Sequence, residues 1–212
     1  MKIIAISDTH KKHNKINLPE SDILIHAGDY SGGIIHRKDE FIRFLNWFEK
    51  QPAKYKIFIS GNHDFFTFYD NQEALNEISK RDIIYLEDSS IVIEGFKIHG
   101  SPWSLPFFNW AYMKSDSELF NLYDKTIDID TDILITHGPA YSILDKVKSG
   151  ENVGSKALKS KIENLENLKL HIFGHIHEAK GIEKINDTIF CNASCLDLSY
   201  NIRNENYSVI NL

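Results

Sequence analysis

Apolar residues in this chain gather into short runs, and five of those runs end alike. Lys2–Ile6 leads into Ser7-Asp8-Thr9-His10, and Asp22–His26 into Ala27-Gly28-Asp29. Lys56–Ser60 leads into Gly61-Asn62-His63-Asp64, Asp132–Thr136 into His137-Gly138-Pro139, and Leu168–Phe173 into Gly174-His175-Ile176-His177. Each run has the length and composition of a buried β-strand. The polar side chains therefore emerge at the strands' carboxyl ends, where open α/β sheets hold ligands.

Between the strands the period changes to that of a helix. Over Asp39–Gln51, Phe41, Leu45 and Phe48 recur at i, i+4 and i+7, and Pro52 stops the element. Further helices are predicted near Gln72–Lys80, over Ser115–Lys125 with Ser115 as cap, and over Ser155–Leu165. Ile83–Leu86, Ile91–Ile93 and Phe96–His99 read as short strands, with a hairpin at Glu94-Gly95. An aromatic loop follows through Trp103, Phe107, Phe108, Trp110 and Tyr112. Three more strands lie near Gly181–Ile185, Thr188–Asn192 and Tyr207–Ile210, the first two joined at Asn186-Asp187. Early strands alternate with helices and later ones form hairpins. The expected fold is α/β, with two packed mixed β-sheets flanked by helices. There is no internal repeat or low-complexity segment, so residues 1–212 are read as a single domain.

Composition adds limits. Of 212 residues, 42% are apolar and 25% charged, ample for a core. No apolar run approaches the ~20 residues of a membrane span. The net charge of −6 argues against binding long nucleic acid but not against a phosphate ester, because divalent cations would reverse the local charge. Two cysteines, Cys191 and Cys195, are too few for a disulfide framework, and no export signal is read at the N-terminus. A cytoplasmic location is expected.

The strand ends carry the chemistry. Their key side chains are Asp, Asn and His, with no thiolate, a donor set that suits Mn, Fe, Zn or Co. Seven such ligands exceed what one ion needs and suit two that share a carboxylate. Paired ions ~3.5–4 Å apart are a recurring device for hydrolysing phosphate esters. In the spacings Asp8-x-His10 and His175-x-His177, both side chains lie on one side of an extended segment.

In order, these blocks are D-x-H, G-D, G-N-H-D, H and G-H-x-H, spread from residue 8 to residue 177. The chain thereby resembles the calcineurin-like metallophosphoesterases. That resemblance implies the αββα sandwich. It implies that Asp8, His10 and His177 hold one ion, that Asn62, His137 and His175 hold the other, and that Asp29 bridges them. It makes His63 the general acid facing the leaving group, with Asp64 orienting its ring while a metal-bridging hydroxide attacks. A finer resemblance rests on Gly100-Ser101-Pro102-Trp103, Thr136-His137-Gly138-Pro139, Gly174-His175-Ile176-His177-Glu178 and Asn192-Ala193-Ser194. It points to the metallophosphoesterase-domain-containing branch, similar to class III cyclic-nucleotide phosphodiesterases. That branch is expected to carry Tyr where His99 stands.

The function so implied is hydrolysis of a small phosphodiester, such as a cyclic nucleotide, with manganese as the favoured metal. Asn62 and His63 are expected to touch substrate, with Asn192 and His99 as further candidates. His26 reads as a core histidine. Trp103, Phe107, Phe108 and Trp110 read as core or loop anchors, with base stacking as the alternative. The competing readings are a phosphomonoesterase, including a protein phosphatase, and a catalytically silent scaffold. No Arg sits in or beside the motifs to hold a dianionic phosphate.

Overall fold

The protein is described by a computed structural model covering residues 1–33 and 35–212. Among these residues the strands form two sheets. The first has five strands in the order β11-β1-β2-β3-β4, made of β1 (Lys2–Ile6), β2 (Ser21–Ala27), β3 (Ala53–Ile59), β4 (Ile84–Tyr85) and β11 (Ser208–Asn211). The second has six in the order β5-β6-β7-β8-β10-β9, made of β5 (Ser89–Ile93), β6 (Phe96–Ser101), β7 (Ile133–Thr136), β8 (Leu170–Phe173), β9 (Gly181–Ile185) and β10 (Thr188–Asn192). The helices are α1 (Lys38–Phe48), α2 (Phe65–Tyr69), α3 (Asn71–Ile78), α4 (Asp116–Thr126) and α5 (Lys156–Glu163). None is long and apolar enough to cross a membrane.

Strand alternation sorts the apolar residues into layers. Ile3, Ala5, Ile23, Ile25, Ile57 and Ile59 point from the first sheet into a shared core with Ile98, Ile133, Ile135, Leu170 and Ile172 of the second. The intervening Ile4, Ile6, Leu24 and Phe58 face Phe41, Phe44, Leu45 and Phe48 of α1. On the far side, Leu134 and Phe173 pack with Leu119 and Tyr123 of α4 and Leu158 and Ile162 of α5. Ser115 caps α4 in a capping box with Glu118, and the Ser155 side chain caps α5. The result is the expected α-β-β-α sandwich.

Three features depart from the sequence reading. The second sheet is not built of hairpins throughout. β6, β7, β8 and β10 run parallel, and hairpins occur only at its edges, in β5-β6 and β9-β10. The reason lies in α4 and α5, which act as crossovers between successive parallel strands. The run around Ile84 joins the first sheet, parallel to β3, rather than its neighbours in sequence. The helix α2 carries the aromatic run Phe65–Tyr69, broken only by Thr67 and too short to show a helical period.

Three buried histidines brace the sheets. His26 bonds Thr9 Oγ1 (3.0 Å) through Nε2 and accepts the Gly28 N–H (3.3 Å) at Nδ1, so it is a satisfied core residue. His99 meets the Ser90 hydroxyl at 2.9 Å, and His171 meets Thr136 Oγ1 at 2.8 Å. Burial lowers His99 to about 4 and His171 to about 3. Each is neutral in the fold and takes up a proton in the unfolded chain below pH ~6.5. The unfolded state then binds more protons, so stability is complete above that pH and is lost as pH falls towards 3–4. In metal-stripped protein the urea midpoint should fall between pH 7 and 5. His171→Gln should flatten the dependence by up to ~1.4 kcal/mol per pH unit; an unchanged slope would contradict this assignment.

Candidate metal centre

The first sheet delivers Asp8 and His10 after β1, Asp29 after β2, and Asn62 and His63 after β3. The second delivers His137 after β7, and His175 and His177 after β8. All stand along the edge where the carboxyl ends of both sheets meet, joined there by a Ser7–Ser194 bridge. To turn inward over that edge, the backbone takes left-handed conformations at Asp8 (φ 54°), His10 (38°), Asp29 (60°) and His175 (68°). For residues with a Cβ each such turn costs roughly 1–2 kcal/mol. Main-chain bonds hold them: Asp8 N–H donates to Gly28 O (2.9 Å), and His10 N–H to Asp29 O (3.0 Å). His175 N–H donates to both Asp8 carboxylate oxygens, at 3.1 and 3.0 Å.

Close approach dictates two glycines. A Cβ on Gly61 would strike Asp29 Oδ1, and one on Gly174 would strike Ser7 Oγ and Asp8 Oδ2. Both carboxylates occupy the space that a side chain would fill.

The imidazoles are oriented from behind. Nδ1–H of His10 donates to Ser31 O (2.9 Å), that of His137 to Ala27 O (2.9 Å) and that of His177 to Asp197 O (3.2 Å). These partners assign each proton to Nδ1 and aim each Nε2 lone pair inward. Nε2 of His10 and Nε2 of His177 then face each other at 3.3 Å, close enough to share a proton or a metal ion. Asp29 Oδ2 lies 3.4 Å from His137 Nε2 and 3.8 Å from His10 Nε2. Asp8 Oδ1 lies 3.6 Å from His177 Nε2, and Asn62 Oδ1 lies 2.9 Å from His137 Nε2. Ligand atoms converge within 4.8 Å in three sets: Asp8, His10 and His177; Asp8, Asp29 and His137; and His10, Asp29 and His63. His175 stands beside them, its ring 5.1 Å from that of His137.

The electrostatics suit a cation. Burial lowers His175 to about 3 and His10 to about 4, leaving neutral rings able to ligate. Burial also opposes charge on His137, but the neighbouring Asp29 outweighs it and lifts that ring to about 9. Asp29 is held well below the ordinary carboxylate range because the surrounding histidines outweigh its burial. Negative charge is thus fixed at the centre with imidazole nitrogens around it, a donor set that fits two divalent ions.

Asp64 does not orient His63. Its fully buried carboxylate accepts main-chain N–H groups from Gly61 (2.8 Å), Asp29 (2.8 Å) and Ser31 (3.0 Å). Both oxygens are spent tying the loop after β3 to the loop after β2. The His63 ring is held instead by Trp110, at 4.4 Å, and by the edge of His10, at 5.0 Å. Nor does His99 reach substrate, because it is buried against Ser90 and lies outside the cavity described below. Asn192 likewise spends its polar atoms on protein. Its Nδ2 donates to Ile176 O (2.9 Å) and Leu144 O (3.2 Å), and its Oδ1 accepts from the Ser194 hydroxyl (2.8 Å). Ser194 Oγ lies 2.7 Å from Asp8 Oδ2. Ser194 and Ser31 escaped the sequence reading because neither is a ligand type at a strand end. Tyr200, packed edge-on to His10 at 4.9 Å, lies in a tail with no apolar period.

A cavity of about 680 Å³ opens beside the cluster, with His10, Asp29, Asn62, His63, His175 and His177 at one end and aromatic and aliphatic walls beyond. Its cationic side chain, among the described residues, is Lys148, accompanied by Glu151 and Glu178.

If Asp64 is the tie between the loops, Asp64→Asn should place amide hydrogens against N–H donors and weaken Mn²⁺ binding ~10–100-fold by calorimetry. Unchanged metal affinity, with losses only on substrates with poor leaving groups, would return Asp64 to the role of partner to His63.

Comparison with known proteins agrees with this geometry. The sequence pattern of the calcineurin-like phosphoesterases matches residues 1–179. Metallophosphoesterase domain-containing protein 1 of Homo sapiens, and likewise that of Mus musculus, is 33% identical over 94% of this chain and 67% of its own length. Among solved structures, phosphopantetheinyl hydrolase from Mycobacterium tuberculosis shares the fold, with a TM-score of 0.61 at 16% identity over 91% of this chain and 88% of that one. The chain belongs to the calcineurin-like phosphoesterase family.

Proposed function

We propose that this chain is a dinuclear metal-dependent hydrolase of a small phosphodiester. The observation that carries the reading is the position of Asp29 Oδ2, 3.4 Å from His137 Nε2 and 3.8 Å from His10 Nε2. A carboxylate so placed can serve two ions at once. Asp8, His10 and His177 would hold one ion, Asn62, His137 and His175 the other, with Asp29 between them. Manganese is the favoured metal. When bound, such a pair polarises phosphoryl oxygens and supplies a strong nucleophile from water near neutral pH.

The chain's own groups account for the rest. Among the described residues, His63 Nδ1 and Asn62 Nδ2 are buried without hydrogen-bond partners. Asn62 Nδ2 is free to donate to a phosphoryl oxygen. The His63 ring, clamped by Trp110, is free to donate a proton to the departing alkoxide. Proton donation of this kind is worth ~10²–10⁴-fold.

A diester is favoured over a monoester by charge. The cavity's Lys148 is outnumbered by Glu151 and Glu178, and no arginine lines it among the described residues. Arg203 is turned away, donating to His177 O (2.8 Å) and Leu196 O (3.1 Å). A dianion therefore finds little beyond the ions themselves. The buried free thiols of Cys191 and Cys195 suit a reducing cytoplasm, and the shared core suits a single domain spanning residues 1–212.

At saturating Mn²⁺, bis-p-nitrophenyl phosphate should be hydrolysed faster than p-nitrophenyl phosphate. His63→Ala should keep both ions and lose ~10²-fold or more on an alkyl diester, but far less on the p-nitrophenyl diester, whose leaving group needs no proton. A clear preference for the monoester would sink the diesterase reading. Equal losses on both diesters would make His63 a positioning group.

A further inference from the structure

The cavity is much larger than a phosphate, and its walls change character with distance from the histidines. Beyond the ligand cluster they are Trp103, Leu105, Phe107, Trp110, Val153 and Leu198. Trp103 is fixed in place by its indole N–H, which donates to Asp88 Oδ2 at 2.8 Å. Trp110 packs at a tilt against His63, and Phe107 lies 5.9 Å from Trp110. Phe107 and Leu198 are more than half exposed at the rim, at 58% and 52%. Surface of this kind left open beside a reaction centre marks a ligand-binding groove. Tyr123, Ser149, Ser155 and Tyr200 add polar groups to the lining. Among the described residues, Ser104 Oγ is buried without a partner, in a residue only 2% exposed that lines the cavity.

His63 links these walls to the reaction centre, because Trp110 lies against its ring and Phe107 beside Trp110. An alcohol departing beside His63 would lie near Trp110 and Phe107. Resting on the diesterase reading above, we propose that the leaving group of the substrate is a bulky, mainly apolar alcohol, aryl or long-chain. A sugar, polar over most of its surface, would gain little from the apolar walls. A second anionic group would meet Glu151 and Glu178.

Two alkyl diesters with leaving alcohols of similar acidity test this: diethyl phosphate and ethyl 2-phenylethyl phosphate, each with the Mn²⁺-loaded enzyme. The phenylethyl ester should show kcat/KM at least ~10-fold higher, carried by KM, and should release 2-phenylethanol. Phe107→Ser and Leu198→Ser, both at exposed rim positions, should bring the ratio towards one. Equal kcat/KM for the two esters, or release of ethanol with 2-phenylethyl phosphate retained, would overturn the proposal. Calorimetry with ethylphosphonate and 2-phenylethylphosphonate separates this inference from the reading it rests on. If neither diester is hydrolysed, tighter binding of the phenylethyl compound upholds the apolar leaving-group site while the diesterase reading falls. Equal binding of the two overturns the site.

Discussion

Lone pairs converge where the carboxyl edges of the two sheets meet, and much of the local structure exists to hold them there. Asp8 and Asp29 are buried, and the Nε2 atoms of His10, His137 and His177 point at them and at one another. Left alone, this arrangement would repel itself or fill with protons. The backbone accepts left-handed turns at four of these residues to maintain it. The Nδ1 atoms are anchored on main-chain carbonyls, so the rings cannot turn away. Asp64 completes the frame without touching the centre, because its carboxylate collects three main-chain N–H groups from two loops. Burial and the neighbouring Asp29 push this carboxyl well above its ordinary range, and the role that remains is that of an acceptor whose loss would leave three buried N–H groups unpaired.

The sheets serve this arrangement directly. Parallel strands put all their carboxyl ends on one side, so β1, β2, β3, β7 and β8 each deliver their polar terminus to the same edge. The Ile-rich core between the sheets fixes their separation, and with it the gap across which Asp29 meets His137 and Asp8 meets His177.

Most of this was legible from the amino-acid order, because strand ends punctuated by Asp, Asn and His form a local signal. The ligand candidates all arrived at one edge, and the helices fell close to their expected ranges. What escaped was non-local. Asp64 looked like the partner of His63 because it is next in sequence, yet a tight turn sends adjacent side chains in different directions. The N–H groups it binds lie 3, 33 and 35 residues away. Ser194, which meets Asp8, is carried in behind β10, which reaches the site only by sheet order. The parallel centre of the second sheet was hidden because hairpin turns at its edges are written in sequence, whereas strand order is not. The aromatic loop read as an anchor, and only the fold sets Trp110 on His63.

The central claim is that this edge holds two ions bridged by one carboxylate. Metal-stripped protein titrated with Mn²⁺ can be followed together by elemental analysis and electron paramagnetic resonance. The account predicts two Mn²⁺ per chain with a spin-coupled signal that Asp29→Asn abolishes. A single bound Mn²⁺ with an isolated six-line spectrum, or two ions whose coupling survives Asp29→Asn, would contradict it.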